Sequence, residues 1–305
     1  MLKWELVRTV TSDGLRLDGA YAGGSPSHDS LAGAATALTS AADPQSRLAA
    51  DVVLCLPGVA SNFYGSQLLR QLAETLVHAG VAVLCVNTRG HDNVFTASTP
   101  AGPRRFGAAY EIVDECRQDI AAWLKYLDER GLTRVVLAGH SLGAIKALYS
   151  QAHAPSPAVA GVIAMSPPRL SYSMFELSGH GPSFVDTMRD AQHRIAAGRG
   201  NELLEIQFPF PLLITASAYV DKYGPAERYN ILQFAGQVTC PLLATYGARE
   251  VADGNPAFQG LPEALSDLCG DTAEVALIPD ADHLYTGCQQ PLSEVLVRWL
   301  GKLGG

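Results

Sequence analysis

The chain of 305 residues lacks the features of a membrane or exported protein. No apolar run reaches the roughly 18 to 20 residues of a membrane-spanning helix, and residues 1–8 are not apolar enough for a signal peptide. The chain also lacks any block of lysine or arginine, since 22 basic residues stand against 30 acidic ones and leave a net charge of −8. The sequence therefore predicts a cytoplasmic protein that binds neither nucleic acid nor an anionic membrane.

Cysteine is scarce, and no two of the six cysteines form a C-x-x-C pair. Without that spacing we expect buried, reduced thiols rather than disulfides or a zinc site. No group of histidine and carboxylate residues has the spacing of metal ligands, and no Gly-x-Gly-x-x-Gly follows a predicted strand. We therefore expect no metal and no organic cofactor. The cysteines are Cys55, Cys85, Cys116, Cys240, Cys269 and Cys288.

Apolar residues make up 48% of the chain, which is enough for a full core, and they alternate between short runs and helical patterns. Uninterrupted short apolar runs are typical of strands that are covered on both faces. The alternation predicts a mostly parallel sheet flanked by helices, preceded by an antiparallel hairpin at residues 4–10 and 15–21. The predicted strands of the parallel sheet are residues 51–56, 81–86, 134–138, 159–165, 241–246 and 273–278, and the predicted helices are residues 66–79, 110–130, 142–151, 256–269 and 292–300.

Two segments interrupt this pattern. Residues 23–50 are rich in Gly, Ala, Ser, Thr and Pro and predict a mobile surface loop. Residues 166–238 contain helical patterns at 183–197 and 226–235, and they predict a mostly helical lid inserted above the sheet. The predicted core then consists of residues 1–165 and 239–305. The aromatic residues of the insert are interpreted as its own core rather than as substrate contacts, and they are Phe184, Phe208, Phe210, Tyr219 and Tyr223.

A Gly-x-Ser-x-Gly pentapeptide stands where a predicted strand meets a predicted helix. Small residues at Gly139 and Gly143 permit a turn so sharp that Ser141 is left exposed above the edge of the sheet. The backbone N–H of Leu142, at the start of the helix, would then point at an oxyanion that forms on a bound carbonyl. This context predicts that Ser141 is a nucleophile.

A serine hydroxyl is a poor nucleophile, so a histidine base and an orienting carboxylate must accompany it. His283 follows the last predicted strand and precedes the last helix, so we predict that it is the base. His140 is expected only to pack locally. For the carboxylate, Glu250 and Asp253 both follow the strand that ends at Gly247, and Glu250 is favoured because it stands three residues after that glycine.

A second oxyanion donor is expected from the loop after the first parallel strand. Residues 57–62 are small or turn-forming there, and the N–H of Val59 is our choice. A plain strand-to-helix connection is the alternative interpretation. Arg89 and Asp92, in the loop after the next strand, are expected to hold a turn in place.

The order of Ser141, then Glu250 or Asp253, then His283 resembles the α/β-hydrolase superfamily. Residues 57–59 stand where that family often has His-Gly-x, and residues 87–91 are similar to its Arg-Gly-x-Gly turn. Two departures are the proline in place of the first histidine and a glutamate where aspartate is commoner, and the second leaves the choice of acid open. Residues 139–146 and 218–225 also resemble a branch that includes fungal siderophore esterases.

The resemblance implies an α/β-hydrolase fold and a serine hydrolase that acts on a small-molecule carboxylic ester without a cofactor. The same set of residues could instead serve a thioester, a lactone, an amide or a carbon–carbon bond, because a triad does not encode the leaving group. A non-catalytic binding protein on the same fold is the alternative from a different class. A complete set of serine, histidine and carboxylate in reactive order argues against that alternative.

Overall fold

Strands and helices alternate along the computed structural model of the chain, which describes residues 2–23 and 50–303. The strands are β1 (Glu5–Val10), β2 (Arg16–Ala22), β3 (Val52–Leu56), β4 (Ala82–Val86), β5 (Phe95–Thr99), β6 (Gly102–Phe106), β7 (Val135–His140), β8 (Val159–Met165), β9 (Leu203–Ile206), β10 (Leu212–Thr215), β11 (Leu242–Gly247) and β12 (Ala273–Ile278). The α-helices are α1 (Gln67–His78), α2 (Cys116–Asp128), α3 (Leu142–His153), α4 (Tyr172–Glu176), α5 (Gly181–Ala196), α6 (Ala216–Tyr223), α7 (Ala248–Ala252), α8 (Leu261–Cys269) and α9 (Gln289–Lys302).

Eight strands form one sheet in the order β1-β2-β4-β3-β7-β8-β11-β12. β1 and β2 form an antiparallel hairpin whose second strand pairs with β4, and every later pairing in the sheet is parallel. β3, β4 and β7 are buried along their whole length, as their continuous apolar sequences require. The predicted parallel sheet with an N-terminal hairpin is confirmed.

Helices cover both faces of this sheet and give it two apolar layers. On one face Trp123 of α2 and Leu148 of α3 pack with alternate side chains of the strands. On the other face Leu72 of α1 and Trp299 of α9 pack with the remaining strand side chains. Because the strands between the layers are parallel, their carboxyl ends, and the loops that follow them, meet at one edge of the sheet.

Residues 166–238 combine helices with a small antiparallel ribbon, β9 with β10, rather than being helical throughout. The predicted helix at 183–197 corresponds to α5. The helix predicted at 226–235 is wrong, because Glu227 has a φ of 47° and only two 3-10 turns, Ile231–Gln233 and Ala235–Gln237, begin in that stretch. The helix lies earlier, as α6, since the Thr215 side chain caps its first turn and Gly224 and Pro225 end it.

The aromatic side chains of the insert pack on one another. The Phe184 ring contacts those of Phe208 and Tyr219, and the Tyr219 ring contacts that of Tyr223. This packing agrees with their interpretation as core residues. That interpretation is wrong for Phe210, which is 50% exposed.

Smaller differences from the sequence-based expectations lie in the connections. α2 begins at Cys116 instead of residue 110, because Ile112 is extended and a 3-10 turn, Val113–Glu115, precedes the helix. The antiparallel ribbon formed by β5 and β6 has no counterpart among the predicted strands. Nearly all of the loop predicted at 23–50 lies outside the described residues. All six cysteines are free, and three of them, Cys240, Cys269 and Cys288, are only partly buried.

Arg89, expected to hold a turn, is a buried cation with a side chain only 1% exposed. Its guanidinium donates to Asp119 Oδ1 at 2.8 and 3.0 Å, and its backbone N–H donates to Asp119 Oδ2 at 2.8 Å. The third guanidinium nitrogen, Nη1, donates to Glu115 at 2.7 Å and to Asp13 at 3.1 Å. These bonds join the loop after β4 to the first turn of α2 and to the β1–β2 turn.

We expect Arg89→Met to lower the free energy of unfolding by roughly 3 to 5 kcal/mol, because Asp119 would stay buried without its cation. Adding Asp119→Leu should recover much of that loss, since no buried charge would then be unpaired. Urea denaturation measures both effects. Lys125→Met, which breaks an exposed pair with Glu129, is the control and should cost less than about 1 kcal/mol. Equal losses for Arg89→Met and Lys125→Met would contradict the prediction.

Candidate active site

Ser141 occupies a sharp turn between β7 and α3. Its backbone has φ 55° and ψ −121°, which is unusual for a residue with a side chain, and its side chain is half-buried. The turn requires glycine on both sides. A Cβ at Gly139 would lie 2.2 Å from the Gly143 carbonyl oxygen, and a Cβ at Gly143 would lie 2.3 Å from the Leu56 carbonyl oxygen. The pentapeptide therefore forms the strand–turn–helix arrangement that its sequence predicts.

The loop after β3 lies beside this turn. A Cβ built on Gly58 would lie 3.4 Å from Ser141 Cβ, which is ordinary van der Waals contact. The N–H groups of Val59 and Leu142 have no hydrogen-bond acceptor within residues 2–23 and 50–303, and Leu142 is the first residue of α3. Two backbone donors near Ser141 are thus available to an oxygen atom of a ligand, and the helix dipole favours negative charge at Leu142.

Glu250 and His283 are brought together at the same edge of the sheet. Glu250 stands in α7, three residues after the end of β11, and is buried, while His283 follows β12. His283 Nδ1 is hydrogen-bonded to Glu250 Oε1, and Glu250 Oε2 accepts hydrogen bonds from the Gly247 N–H at 3.2 Å and the Ser166 hydroxyl at 2.7 Å. Asp253, the alternative acid, is exposed at the end of α7.

The Ser141 hydroxyl has no hydrogen-bond partner in the part of the chain that the structure describes, so it is not bonded to His283. What links the two residues is His140, the neighbour of Ser141. Its Nε2–H donates to the His283 carbonyl oxygen at 2.8 Å, and the two rings are 4.9 Å apart between centroids. Sequence reasoning missed this contact, because it joins residues 143 positions apart.

Burial lowers the pKa of His140 to about 4, and the nearby His283 adds to the effect. The His140 ring is therefore neutral near pH 7. Since its Nε2 carries the proton that bonds the His283 carbonyl, Nδ1 is unprotonated.

Sequence reasoning also missed the residues around Glu250. In the sequence Ser166 marks only the start of residues 166–238, and neither Thr245 nor Tyr285 belongs to a motif. The available signal is position: Ser166 directly follows β8, Thr245 lies two residues before the end of the adjacent parallel strand β11, and Tyr285 comes two residues after His283.

Within the described residues, no three side chains of His, Cys, Asp or Glu come together as metal ligands. None of the helices formed by those residues combines the length and the apolar character of a membrane span.

Residues 53–296 match the model of a family described as the alpha/beta hydrolase family. The chain belongs to this family. Its sheet order and its N-terminal hairpin agree with that assignment, as does the sharp turn at Ser141. No curated protein matches the sequence.

Several solved structures share the fold of this alpha/beta hydrolase at low sequence identity. The Pyrococcus furiosus esterase Pf2001 is 16% identical with a TM-score of 0.57, covering 99% of this chain and 90% of its own. Est1E from Butyrivibrio proteoclasticus, solved with ferulic acid, is 15% identical with a TM-score of 0.63 over 97% and 99% of the two chains. GrgF from a Penicillium species, strain sh18, is 14% identical with a TM-score of 0.68 over 99% of each chain.

We expect His140→Gln to flatten the pH dependence of stability in acid. Because the pKa of His140 is about 4 in the folded protein against 6.5 in an unperturbed histidine, the unfolded chain binds a proton between these values that the folded chain does not. The wild type should thus lose up to roughly 3 kcal/mol as the pH falls from 7 to 4 through this group. Glutamine keeps an N–H donor for the His283 carbonyl but does not titrate.

Urea denaturation at pH 7, 5.5 and 4.5 measures this difference in slope. His78→Gln, at an exposed histidine, is the matched control and should keep the slope of the wild type. A His140→Gln variant that loses as much stability in acid as the wild type would show that His140 is not the responsible group.

Proposed function

We propose that this alpha/beta hydrolase cleaves a carboxylic ester through a triad of Ser141, His283 and Glu250. The hydrogen bond from His283 to the buried Glu250, at the sheet edge that also carries Ser141, is the observation on which the proposal rests. Family membership supports hydrolysis in general. We further propose that the substrate is an ester, that the three residues act as a triad, that residues 166–238 form a lid, and that the protein is cytoplasmic.

In the proposed reaction Ser141 Oγ attacks the ester carbonyl while His283 Nε2 takes the serine proton. The Nδ1–H of His283 donates to Glu250, which fixes the tautomer and stabilises the imidazolium that forms. His283 then delivers the proton to the departing alcohol and leaves an acyl group on Ser141. Water, deprotonated by the same imidazole, releases the acid and restores the enzyme.

Negative charge develops on the carbonyl oxygen during the attack. In our proposal the N–H groups of Val59 and Leu142 donate to this oxyanion, and both have no internal acceptor among the described residues that would compete with it. Donors that are already oriented stabilise a transition state without further reorganisation, and the loss of one typically costs about 10² to 10³ in turnover.

An ester is favoured over the other acyl compounds because the structural neighbour Pf2001 is named as an esterase and the neighbour Est1E was solved with ferulic acid. A lactone is the second candidate, since a dienelactone hydrolase from Anabaena variabilis has the same fold with a TM-score of 0.51 at 14% identity. A panel of nitrophenyl esters, lactones, thioesters and anilides would separate these classes. Activity on none of them, together with no labelling by a fluorophosphonate, would support the non-catalytic alternative.

Ser141→Ala should remove the hydrolysis of short-chain nitrophenyl esters by several powers of ten and abolish labelling by a fluorophosphonate, because the attacking oxygen is lost. The fold should persist, since the side chain makes no hydrogen bond among the described residues. Ser150→Ala, at a buried serine of α3, controls for the loss of a hydroxyl and should keep full activity. Turnover by Ser141→Ala within tenfold of the wild type would exclude Ser141 as the nucleophile.

Glu250→Gln should lower kcat by about 10² to 10⁴, because an amide stabilises the imidazolium less and favours the wrong tautomer. Asp253→Asn should cost less than about tenfold, since its carboxylate is exposed at the end of α7. Steady-state kinetics on one nitrophenyl ester compares the two. If Asp253→Asn has the larger effect, the acid lies three residues further along the chain than we propose.

A further inference from the structure

The second oxygen of the Glu250 carboxylate is held from the end of a different strand. Ser166 directly follows β8, and its hydroxyl donates to Glu250 Oε2 at 2.7 Å. The backbone N–H of Ser166 donates to the Thr245 carbonyl at 2.7 Å. This second hydrogen bond holds the backbone of Ser166 against β11. Ser166 and Thr245 are fully buried and Glu250 is 4% exposed, so water does not compete for the carboxylate oxygen.

Tyr285 lies on the other side of the Ser166 hydroxyl. Its Oη lies 3.0 Å from Ser166 Oγ, 2.8 Å from Thr245 Oγ1 and 3.0 Å from the Thr245 carbonyl oxygen. Tyr285 is fully buried and stands two residues after His283. One hydroxyl group therefore connects the loop that carries His283 with the strand end that carries Ser166.

Both residues have a backbone conformation that side chains rarely adopt. The φ of Ser166 is 46° and that of Tyr285 is 55°. Such a conformation costs on the order of 1 to 3 kcal/mol and persists where the surroundings hold it in place. The turn alone would favour glycine at position 166, because glycine adopts the same conformation without the strain. We therefore expect the Ser166 side chain to have a role of its own.

We infer that Ser166 and Tyr285 are positioning residues that act through Glu250, an inference that rests on the triad proposed above. The Ser166 hydroxyl has one proton, and the charged carboxylate is its strongest acceptor. Bound at Oε2 by Ser166 and by the Gly247 N–H, the carboxylate cannot rotate freely, and Oε1 stays directed at His283 Nδ1. With the Ser166 proton directed at Glu250, the Tyr285 hydroxyl donates to Ser166 Oγ and holds that oxygen in place.

The two oxygens of the Glu250 carboxylate therefore have different roles. Oε1 meets the imidazole, and Oε2 is bound by groups that take no part in proton transfer. Without the Ser166 hydroxyl the carboxylate would be less well oriented when the imidazolium forms, and this matters in the transition state more than in the bound ester. The loss should thus fall on kcat and leave KM nearly unchanged.

Ser166→Ala should lower kcat by about tenfold to a hundredfold with KM within about twofold of the wild type, as is typical when a group that orients a functional side chain is lost. Tyr285→Phe should lower kcat less, by about threefold to tenfold, since the Ser166 hydroxyl remains. Ser150→Ala is the control for removal of a buried serine hydroxyl and should leave kcat and KM unchanged. Ser166→Gly replaces Ser166→Ala if the alanine variant does not fold, because glycine suits a φ of 46°.

The test is completed by combining Ser166→Ala with Glu250→Gln. If Ser166 acts through the carboxylate, the double variant should be no slower than Glu250→Gln alone, since residues that act as a unit are not additive. A full additional loss in the double variant would overturn the inference, as would a folded Ser166→Ala or Ser166→Gly with wild-type kcat. A Glu250→Gln variant with wild-type activity would instead overturn the proposed triad itself.

Discussion

Close packing between the first turn of α3 and the end of β3 is the constraint on which the site depends. Neither Gly139 nor Gly143 could carry a side chain, because a Cβ at either position would overlap backbone atoms. The same closeness holds Ser141 in its left-handed conformation and sets Gly58 beside it. Ser141 and the backbone donors near it are thus positioned by main-chain contacts.

Buried charges join α6 to α3 and to the loop before α2. Glu111, in the loop before α2, lies 2.5 Å from Lys146 Nζ of α3 and 3.6 Å from Lys222 Nζ of α6. Lys146 also donates to the Thr88 hydroxyl at 2.9 Å, and all three charged side chains are almost fully buried. The two ammonium groups lower the pKa of Glu111, and burial lowers that of Lys222. The cluster therefore ties α6 to α3, the helix that follows Ser141, and removing one partner would leave a buried charge unpaired.

Sequence reasoning was most successful where one physical requirement acts on neighbouring residues. The strands β3, β4 and β7 were predictable because burial on both faces demands a continuous apolar run. It was least successful in the insert, where the helix expected at 226–235 is replaced by turns. There the carboxylate of Glu227 accepts hydrogen bonds from Ser173, more than fifty residues away, and this contact favours a turn over a helix.

By itself the sequence determined the parallel sheet, the sharp turn at Ser141 and the edge at which Glu250 and His283 lie, because periodicity and the place where each strand ends depend on local chemistry. Only the tertiary structure decided which carboxylate meets His283. Glu250 and Asp253 lie three positions apart in the sequence, but in the structure Glu250 is buried and Asp253 is exposed. It alone also joined His140 to the His283 carbonyl and Ser166 to Glu250. These contacts link residues at or beyond the ends of different strands. Which of them form depends on the order of the parallel strands in the sheet, and no local pattern of residues encodes that order.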